Sequence, residues 1–571
     1  MKSLLFMILL LISGIFTGLY GTDAANAGDK QPEIDPANIG DYEVPGDPAG
    51  KFILTNAAVY GFSQIGTERN GYDPQIFVLD PDVSLRAWQK WDTWGTNIRD
   101  YNKNYINDCR SKNIIFIGGG TMSVLFKNET SNNAQFMDFA TRDAKGELVE
   151  HSYIVPGAYR GSLANPAYRA YLISWLKVQI DLGVDGLFLD EFNAGYNGGA
   201  KWSWNGNEGF DDYFIRDFNR YLINKYPGYT PEDWIKNYKM TPNNIIRRDI
   251  PYYDLERNFN YRKYLREKGW AGYPHTPDNP LSAEWGYIEG NRFDVNDTSF
   301  TGKYMGLYLK EIVVELRKYA REKYSREILL TANGIFPWMD FNSLGLYNGN
   351  KDDNGKEADY VPVSFGHLNG TKSLKNIYLK MLAGSRETSG KIPLVMFMDW
   401  PCEMINGYYR LSAQEKMDFW RIYAAEAYAC GLCFAFHLKS SMPNEPTATQ
   451  SGVIGFMKDY SGFYKKNSGL YFNAENKDNL IAVDKPGIAY NLTYQADKNR
   501  YLLHLINHNY KNKAIPQTNF NVSLAMDAEP TKVTLISPDK PENESVNFSR
   551  SGSKIIFNIG SLDYYDILVI E

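Results

Sequence analysis

The sequence predicts an α/β protein, a (β/α)8 TIM barrel with a helical insertion after strand 4 and a C-terminal β-sandwich. Eight short apolar runs alternate with helical patterns over residues 51–469, which is the order typical of such a barrel. A segment rich in Trp and Tyr, residues 194–301, interrupts this order and contains a helical stretch at 211–226. From residue 470 to 571 short alternating runs replace the helical spacing, which predicts a β-sandwich.

The barrel prediction depends on a complete set of eight strands. The candidate strands lie at residues 52–60, 96–99, 114–117, 183–192, 328–332, 360–365, 393–398 and 432–437, with helical spacing at 166–182, 304–324, 373–384 and 412–429. A doubly wound open sheet is the alternative, but no glycine-rich phosphate loop opens the first unit. The run Gly118-Gly-Gly120 lacks dinucleotide-binding spacing, and we interpret it as a tight turn. In the C-terminal region, strands are expected at 501–506, 532–536, 554–559 and 565–570.

The N-terminus has the three regions of a secretory signal peptide. Lys2 precedes an apolar run over residues 4–19, and the small-residue stretch 25–27 follows. Residues 1–27 are therefore expected to be a signal peptide, and residues 28–50, rich in Pro, Gly and Asp, a linker. An uncleaved membrane anchor is the alternative, because the apolar run approaches spanning length. The expected location is extracellular, either secreted or held at the cell surface.

Composition excludes several classes of protein. A chain with 43% hydrophobic and 22% charged residues is of ordinary globular composition. The net charge of −6 argues against a nucleic-acid partner, because no basic field is available to neutralise phosphates. Four cysteines are too few for a disulfide scaffold, and no cluster has metal-ligand spacing, so neither a metal nor another cofactor is expected. The 15% of aromatic residues suits sugar-ring faces, although aromatic side chains also fill cores.

The sharpest local signal is the run Asp185-Gly-Leu-Phe-Leu-Asp190-Glu191. The apolar residues between the two aspartates place Asp190 at the carboxyl end of strand 4, the end at which barrel active sites are built. Glu191 is one residue further on and faces a different direction unless the strand has already turned. Glycosidic cleavage normally needs two carboxyl groups. Asp399, which follows strand 7, is the second candidate, with Glu403 just beyond it and Glu191 as a further catalytic candidate.

Residues 183–190 resemble the fourth-strand motif of barrel glycoside hydrolases, including α-amylase-type, dextranase-type and uncharacterised glycosyl hydrolase-like families. The resemblance implies that Asp190 is the catalytic nucleophile. Residues 210–238 are also similar to the insertion of β-galactosidase-like barrels, whose fourth strand ends in Asn-Glu, whereas Asp190 precedes Glu191 here.

The α-amylase-type and dextranase-type enzymes place a glutamate acid after strand 5, and this chain departs from that pattern. Asn333 leads into residues 334–340, which contain no glutamate. Asp340 is one substitute, and strand 7 or the insertion, where Glu284 and Glu289 flank Trp285, is the other source of an acid.

Aromatic and polar residues at other strand ends are candidates for substrate binding. They are Tyr60, Asn333, Trp338, Trp400 and His437. Packing at the barrel rim is the alternative role for each of them.

The sequence thus predicts a secreted glycoside hydrolase or transglycosidase that acts, without a cofactor, on an oligo- or polysaccharide. Its partner is carbohydrate, and no stable membrane partner is expected beyond the export signal. A non-catalytic sugar-binding surface protein on a hydrolase-like barrel is the alternative, supported by the missing strand-5 glutamate. A lyase or deacetylase on the same barrel is a third reading that the fold alone does not exclude.

Overall fold

The computed structural model describes residues 59–63, 77, 80–85, 103–150, 157–192, 208–286, 297–347, 361–362, 375–389, 394–398, 412–439, 453–472, 474–510 and 513–571. Contacts divide the chain into two compact units. The insertion unit comprises, in the described part of the chain, residues from Thr121–Val178 and Glu191–Glu327. The sheet unit comprises Pro48–Gly120, Gln179–Asp190 and Ile328–Glu571.

One large sheet of parallel strand pairs organises the sheet unit. Its main strands are β1 (Val59–Ser63), β2 (Val83–Leu85), β3 (Ile115–Thr121), β4 (Gly186–Asp190), β5 (Leu329–Asn333), β6 (Phe341–Tyr347), β7 (Leu394–Met398) and β8 (Cys433–Lys439). Their order is β7-β8-β1-β2-β3-β4-β5-β6, followed by the two-residue strand Val361–Pro362, and β6 also pairs with β7. A shared core of small and large apolar side chains joins them: Val83, Leu85, Ile117, Phe188, Phe341, Val395, Cys433 and Ala435.

Helices lie between most of these strands. Helices α1 to α11 span, in chain order, Lys103–Ser111, Asn133–Phe139, Pro166–Leu182, Asp212–Lys225, Pro231–Tyr238, Tyr261–Glu267, Ser282–Trp285, Phe300–Tyr324, Lys375–Ser389, Ala413–Ala429 and Val453–Lys466. The helices predicted at 166–182, 304–324, 373–384 and 412–429 are confirmed as α3, α8, α9 and α10. The helical stretch predicted at 211–226 is α4, where the Asp211 side chain accepts hydrogen bonds from the Tyr213 and Phe214 amides and caps the first turn.

The sheet contains two strands, β2 and β6, at positions where the sequence did not predict them. The sixth strand is β6 at 341–347. Of the predicted strand at 360–365 the structure describes Val361–Pro362, which is a strand paired with the last two residues of β6. The polar residues Asn342 and Ser343 interrupt the apolar run of β6 and hide it from a hydrophobicity pattern. The second strand of the sheet is β2 at 83–85, and the candidate at 96–99 lies outside the described residues.

The glycine run Gly118-Gly-Gly120 belongs to strand β3 and is not a turn. Gly119 has a φ of 145°, and a Cβ built on it would lie 2.1 Å from the Phe188 carbonyl oxygen of β4. The Gln179 side chain accepts a hydrogen bond from the Gly119 amide at 2.8 Å and donates one to its carbonyl at 3.0 Å. The run therefore allows β3 to approach β4 closely, and the Gln179 side-chain amide pairs with both backbone polar groups of Gly119.

The C-terminal region forms two antiparallel sheets. One has six strands in the order Glu475–Asn476, Ile488–Gln495, Arg500–Asn507, Tyr565–Ile570, Val533–Ile536 and Glu544–Ser545. The other has four strands in the order Ile481–Val483, Gln517–Ala525, Lys554–Leu562 and Phe548–Ser551. Buried residues from both sheets, among them Leu503, Leu568, Val522 and Phe557, form one apolar core. The strands predicted at 501–506, 532–536, 554–559 and 565–570 are confirmed.

These C-terminal strands pack on helix α10 within the sheet unit. The Asn491 side-chain amide donates to the carbonyl of Ala429, and His508 Nε2 lies 2.7 Å from Glu426 Oε1. Both His508 and Glu426 are buried. In the part of the chain that the structure describes, none of the helices combines the length and apolarity needed to cross a membrane.

The insertion unit has an aromatic core of its own. Trp285 is fully buried and stacks on Phe210, with ring centroids 4.9 Å apart and planes 2° from parallel. Further rings surround this pair, namely Phe214, Phe218, Tyr261 and Phe300. Part of the aromatic content of the sequence is thus used to fill this core rather than to present rings to a ligand.

Candidate active site

Asp190 is the last residue of β4, as the sequence predicts. The strand is buried along its whole length, and the Asp190 side chain is only 6% exposed. The register pairs Leu189 of β4 with Ala332 of β5, so the strand ends bring Asp190 beside Asn333. Asn333 Nδ2 donates a hydrogen bond to Asp190 Oδ1 at 3.3 Å. The end of β4 therefore presents a buried carboxylate oriented by an amide from the neighbouring strand.

The opposite end of β4 is fixed by the other aspartate of the motif. Asp185 Oδ1 lies 2.7 Å from Arg110 Nη2, and Oδ2 accepts a hydrogen bond from the Phe116 amide at 3.0 Å. Arg110 also donates to the Gly183 carbonyl at 2.8 Å. Asp185 thus links the start of β4 to α1 and β3. Its role is structural, and it lies at the opposite end of the strand from Asp190.

Glu191 follows Asp190 but belongs to the insertion unit. Its backbone has a φ of 47°, in the left-handed region that non-glycine residues seldom adopt. Its Oε2 lies 2.6 Å from Arg160 Nη1, and Ser123 Oγ donates to the same oxygen. Arg160 also donates to Ser123 Oγ at 2.6 Å, and its Nε lies 3.5 Å from Glu208 Oε2. The turn after Asp190 sends the Glu191 side chain into a charged network.

Sequence reasoning missed Ser123, Arg160 and Glu208. Arg160 is the last residue of the short strand Ala158–Arg160, which pairs antiparallel with the strand Val124–Phe126. Ser123 directly precedes that second strand. Arg160 and Glu208 are both almost fully buried, although charged residues seldom are. No motif or spacing in the sequence connects these three positions.

Two of the carboxylates considered as the acid have other partners. Asp340 precedes β6, and its Oδ2 accepts a hydrogen bond from the Leu330 amide at 2.7 Å, near the start of β5. Asp340 therefore lies toward the amino ends of β5 and β6, whereas Asp190 is at the carboxyl end of β4. The reason is that a link of seven residues without a helix, 334–340, returns the chain directly from β5 to the start of the parallel strand β6.

Glu284 is held as an anion in the insertion unit. Burial alone would raise the pKa of Glu284, but hydrogen bonds from Lys225, Tyr226 and Tyr238 outweigh it and lower that pKa below its usual value. The Lys225 Nζ lies 2.7 Å from Glu284 Oε2, and Tyr238 donates to Oε1 at 2.8 Å. A carboxylate stabilised in its charged form is a poor proton donor.

The remaining site candidates are described only in part. Asp399, Trp400, Glu403 and Glu289 lie outside the described residues, although β7 ends at Met398, directly before Asp399. Trp338 is partly exposed in the link between β5 and β6.

Tyr60 and His437 lie inside β1 and β8 rather than after them. Both strands run on beyond the predicted ends at residues 60 and 437, so the two residues precede the strand ends. Among the described residues no group of His, Cys, Asp and Glu side chains could hold a metal ion.

Solved structures share the fold of this chain. A cycloisomaltooligosaccharide glucanotransferase from a Paenibacillus species, solved in complex with cycloisomaltoheptaose, matches with a TM-score of 0.51. The match covers 90% of this chain and 85% of that one, at 9% identity. At this identity the likeness shows the fold alone.

Other solved structures match at lower TM-scores. A maltogenic α-amylase from Thermotoga neapolitana has a TM-score of 0.47 at 11% identity, covering 90% of this chain and 99% of that one. An α-amylase from Geobacillus thermoleovorans, complexed with acarbose, has a TM-score of 0.45 at 10% identity, covering 91% and 99%. No family model and no curated protein matches the sequence.

Proposed function

We propose that the chain is a secreted glycoside hydrolase or transglycosidase that cleaves O-glycosyl bonds of an oligo- or polysaccharide. One observation carries the proposal, namely the buried Asp190 carboxylate at the carboxyl end of β4, held by Asn333 from the end of β5. Active sites of (β/α)8 barrels are built at this end of the strands. A solved structure of similar fold is a cycloisomaltooligosaccharide glucanotransferase, which supports carbohydrate as the substrate class.

The architecture behind this proposal is a closed (β/α)8 barrel. The pairing of β6 with β7, in addition to the order from β7 through β1 to β6, supports closure of the eight strands. We propose the barrel at 51–469 with the insertion at 194–301, and a β-sandwich at 470–571. The shared core of the two antiparallel sheets supports the β-sandwich.

In the proposed reaction Asp190 attacks the anomeric carbon while the glycosidic C–O bond breaks and the leaving oxygen takes a proton from a second carboxyl group. Water, or a sugar hydroxyl in transfer, then gives its proton to that second carboxylate and displaces Asp190, which regenerates both carboxyl groups. Asp399 is the proposed acid because it directly follows β7 of the same sheet. Glu191 is the alternative catalytic carboxylate, although its ion pair with Arg160 favours a structural role.

The proposed ligand is carbohydrate, and no cofactor takes part. Asn333 is the proposed substrate contact closest to Asp190, and Trp338 is a partly exposed ring in the following link. Tyr60, Trp400 and His437 complete the proposed binding residues. Export through the signal peptide at 1–27 would deliver the enzyme to extracellular glycans.

A non-catalytic sugar-binding protein is the second candidate. The link 334–340 contains no glutamate, and its Asp340 is hydrogen-bonded to the backbone of β5, so the acid position of the similar enzymes has no occupant in this segment. Such a protein would keep the strand-end residues that bind sugar while lacking turnover.

One experiment separates the two candidates. The purified chain without residues 1–27 is incubated with a panel of α- and β-linked glucans, galactans and mannans, and release of reducing ends is measured beside binding by affinity electrophoresis. The glycosidase proposal expects release from at least one glycan. Retardation by a glycan without any release would instead support the binding protein, and neither effect across the panel would contradict both.

A further inference from the structure

In the side-chain amide of Asn333, the nitrogen makes a hydrogen bond among the described residues and the oxygen does not. Its nitrogen donates to Asp190 Oδ1, and the side chain is 8% exposed. An ionised carboxylate only accepts hydrogen bonds, so the nitrogen is the amide atom that must face Asp190. The amide oxygen, Asn333 Oδ1, is buried and has no hydrogen-bond partner within the described part of the chain.

A buried acceptor without a donor destabilises a folded protein, and native structures contain few of them. Neighbouring side chains on the same strands show the usual pattern. Thr331, two residues earlier on β5, is fully buried, and its hydroxyl lies 3.2 Å from the hydroxyl of Ser343 on β6. The Asn333 oxygen, unlike the Thr331 hydroxyl, has no hydrogen-bond partner among the described residues.

We propose that Asn333 Oδ1 accepts a hydrogen bond from a substrate hydroxyl next to the carbon that Asp190 attacks, so that Asn333 selects for sugars with a free hydroxyl there. The inference rests on the proposed function and adds the chemistry of the substrate to it. The nitrogen and the oxygen of one amide are bonded to the same carbon. A group bound to the oxygen therefore lies beside the carboxylate that the nitrogen holds. A sugar that is deoxygenated, methylated or acylated at that position leaves the oxygen unsatisfied and is rejected.

Asn333 is also a positioning residue for Asp190. A donor to a carboxylate favours its charged form, which is the form that attacks as a nucleophile. Removing the donor should move the acidic limb of the pH profile of kcat/KM to higher pH. A side chain that only fills space at the end of β5 would not shift that limb.

The test uses 4-nitrophenyl α- and β-glycosides of glucose, galactose and mannose together with their 2-deoxy and 2-acetamido counterparts. We expect the wild-type chain to lose at least about a hundredfold in kcat/KM on the 2-deoxy sugar. Asn333→Leu, which has nearly the same shape, should reduce this discrimination to less than about threefold, with Asn333→Ala as a second variant if the Leu side chain impairs folding. Thr331→Val is the matched control, since it removes a buried polar group from the same strand and should leave the discrimination unchanged.

The outcomes separate the inference from the function on which it rests. Loss of discrimination together with a shifted acidic limb would support it. Wild-type turnover with equal discrimination in Asn333→Leu would overturn the inference and leave the glycosidase proposal standing. Preference for the 2-acetamido sugar would overturn the choice of a hydroxyl as donor. Absence of wild-type turnover on every glycoside would overturn the inference, whereas the proposed function is decided by release of reducing ends from the glycan panel.

Discussion

Two adjacent carboxylates, Asp190 and Glu191, differ in every contact that the structure describes. Asp190 accepts from a neutral amide at a buried strand end, whereas Glu191 is paired with a guanidinium and a hydroxyl. An ion pair with Arg160 restricts the Glu191 carboxylate as a nucleophile or an acid, because the attack or the proton transfer would break the pair. The contacts therefore favour Asp190 as the reacting group and predict different results for the two substitutions.

Asp190→Asn should abolish turnover while the chain remains folded. The amide keeps the volume of the side chain but cannot form a glycosyl ester or activate water, so the expected loss is at least about a thousandfold, or roughly 4 kcal/mol in the barrier. Glycan binding should persist. The measurement is release of reducing ends beside a melting temperature for each variant.

Glu191→Gln is the control for that prediction. It removes the charge that faces Arg160, so the melting temperature should fall, while turnover is retained within about tenfold. A fully active Asp190→Asn enzyme, or an inactive Glu191→Gln enzyme beside an active Asp190→Asn enzyme, would show that the neighbouring carboxylates are assigned the wrong way round.

Asp566 should make stability depend on pH. Burial raises the pKa of Asp566 to about 7, and Lys540, 3.5 Å away, offsets only part of that effect. Because the folded state then binds the proton more tightly than the unfolded chain, this stabilising contribution is complete below about pH 4 and is lost as the pH rises through 7. Asp566→Asn should therefore become more stable than wild type as the pH rises, by up to about 4 kcal/mol.

Urea unfolding of both proteins between pH 4 and pH 8 measures this difference. Asp497→Asn, which removes an exposed carboxylate from the same region, is the matched control variant. A constant difference between Asp566→Asn and wild type would contradict the raised pKa.

Among the elements, strand β3 depends on the absence of a side chain at Gly119. A Cβ there would meet the backbone of Phe188, with the carbonyl oxygen at 2.1 Å, and backbone in the middle of a sheet cannot move aside. Gly119→Ala should thus separate β3 from β4 and destabilise the fold by at least about 3 kcal/mol, provided that the chain folds at all.

Gly146→Ala isolates the contribution of backbone conformation. Gly146 also has a positive φ, 93°, but a Cβ there meets no atom within 4 Å. Only the backbone strain remains, and the expected cost is about 1 kcal/mol. Equal urea midpoints for the two variants would mean that the close approach of β3 to β4 contributes nothing beyond that strain.

At the scale of the whole molecule, the buried pair of His508 and Glu426 joins the C-terminal strands to helix α10. Neither side chain exceeds 5% exposure, so solvent screens the pair little. A double-mutant cycle with His508→Ala and Glu426→Ala should give a coupling of at least about 1 kcal/mol in the free energy of unfolding.

The pair of Lys540 and Glu544, in which the carboxylate is exposed, provides the comparison. Its atoms lie 3.3 Å apart, but Glu544 is 55% exposed, so the same cycle should give no more than about 0.5 kcal/mol. A coupling at His508 and Glu426 as small as that of the comparison pair would show that this contact does not hold the C-terminal strands on α10.

The sequence by itself determined the features that depend on local pattern. Helical periodicity located α3, α8 and α10 because an amphipathic or apolar helix repeats its signal over several turns. The apolar run before Asp190 placed that carboxylate at a strand end for a similar reason, since a buried parallel strand is continuous in apolar residues.

Only the tertiary structure decided the features that join distant segments. The polar residues of β6 make this strand unrecognisable from hydrophobicity, and its position is set by pairing with β5 and β7. The run from Gly118 to Gly120 is typical of a turn in sequence, but in the structure it is a strand beside Phe188 and Gln179. Arg160, which pairs with Glu191, lies 31 residues away from it in the chain, and Asn333, which donates to Asp190, lies 143 residues away. No local pattern records such a distance, because parallel strands meet through crossover connections whose length and path are decided when the whole sheet forms.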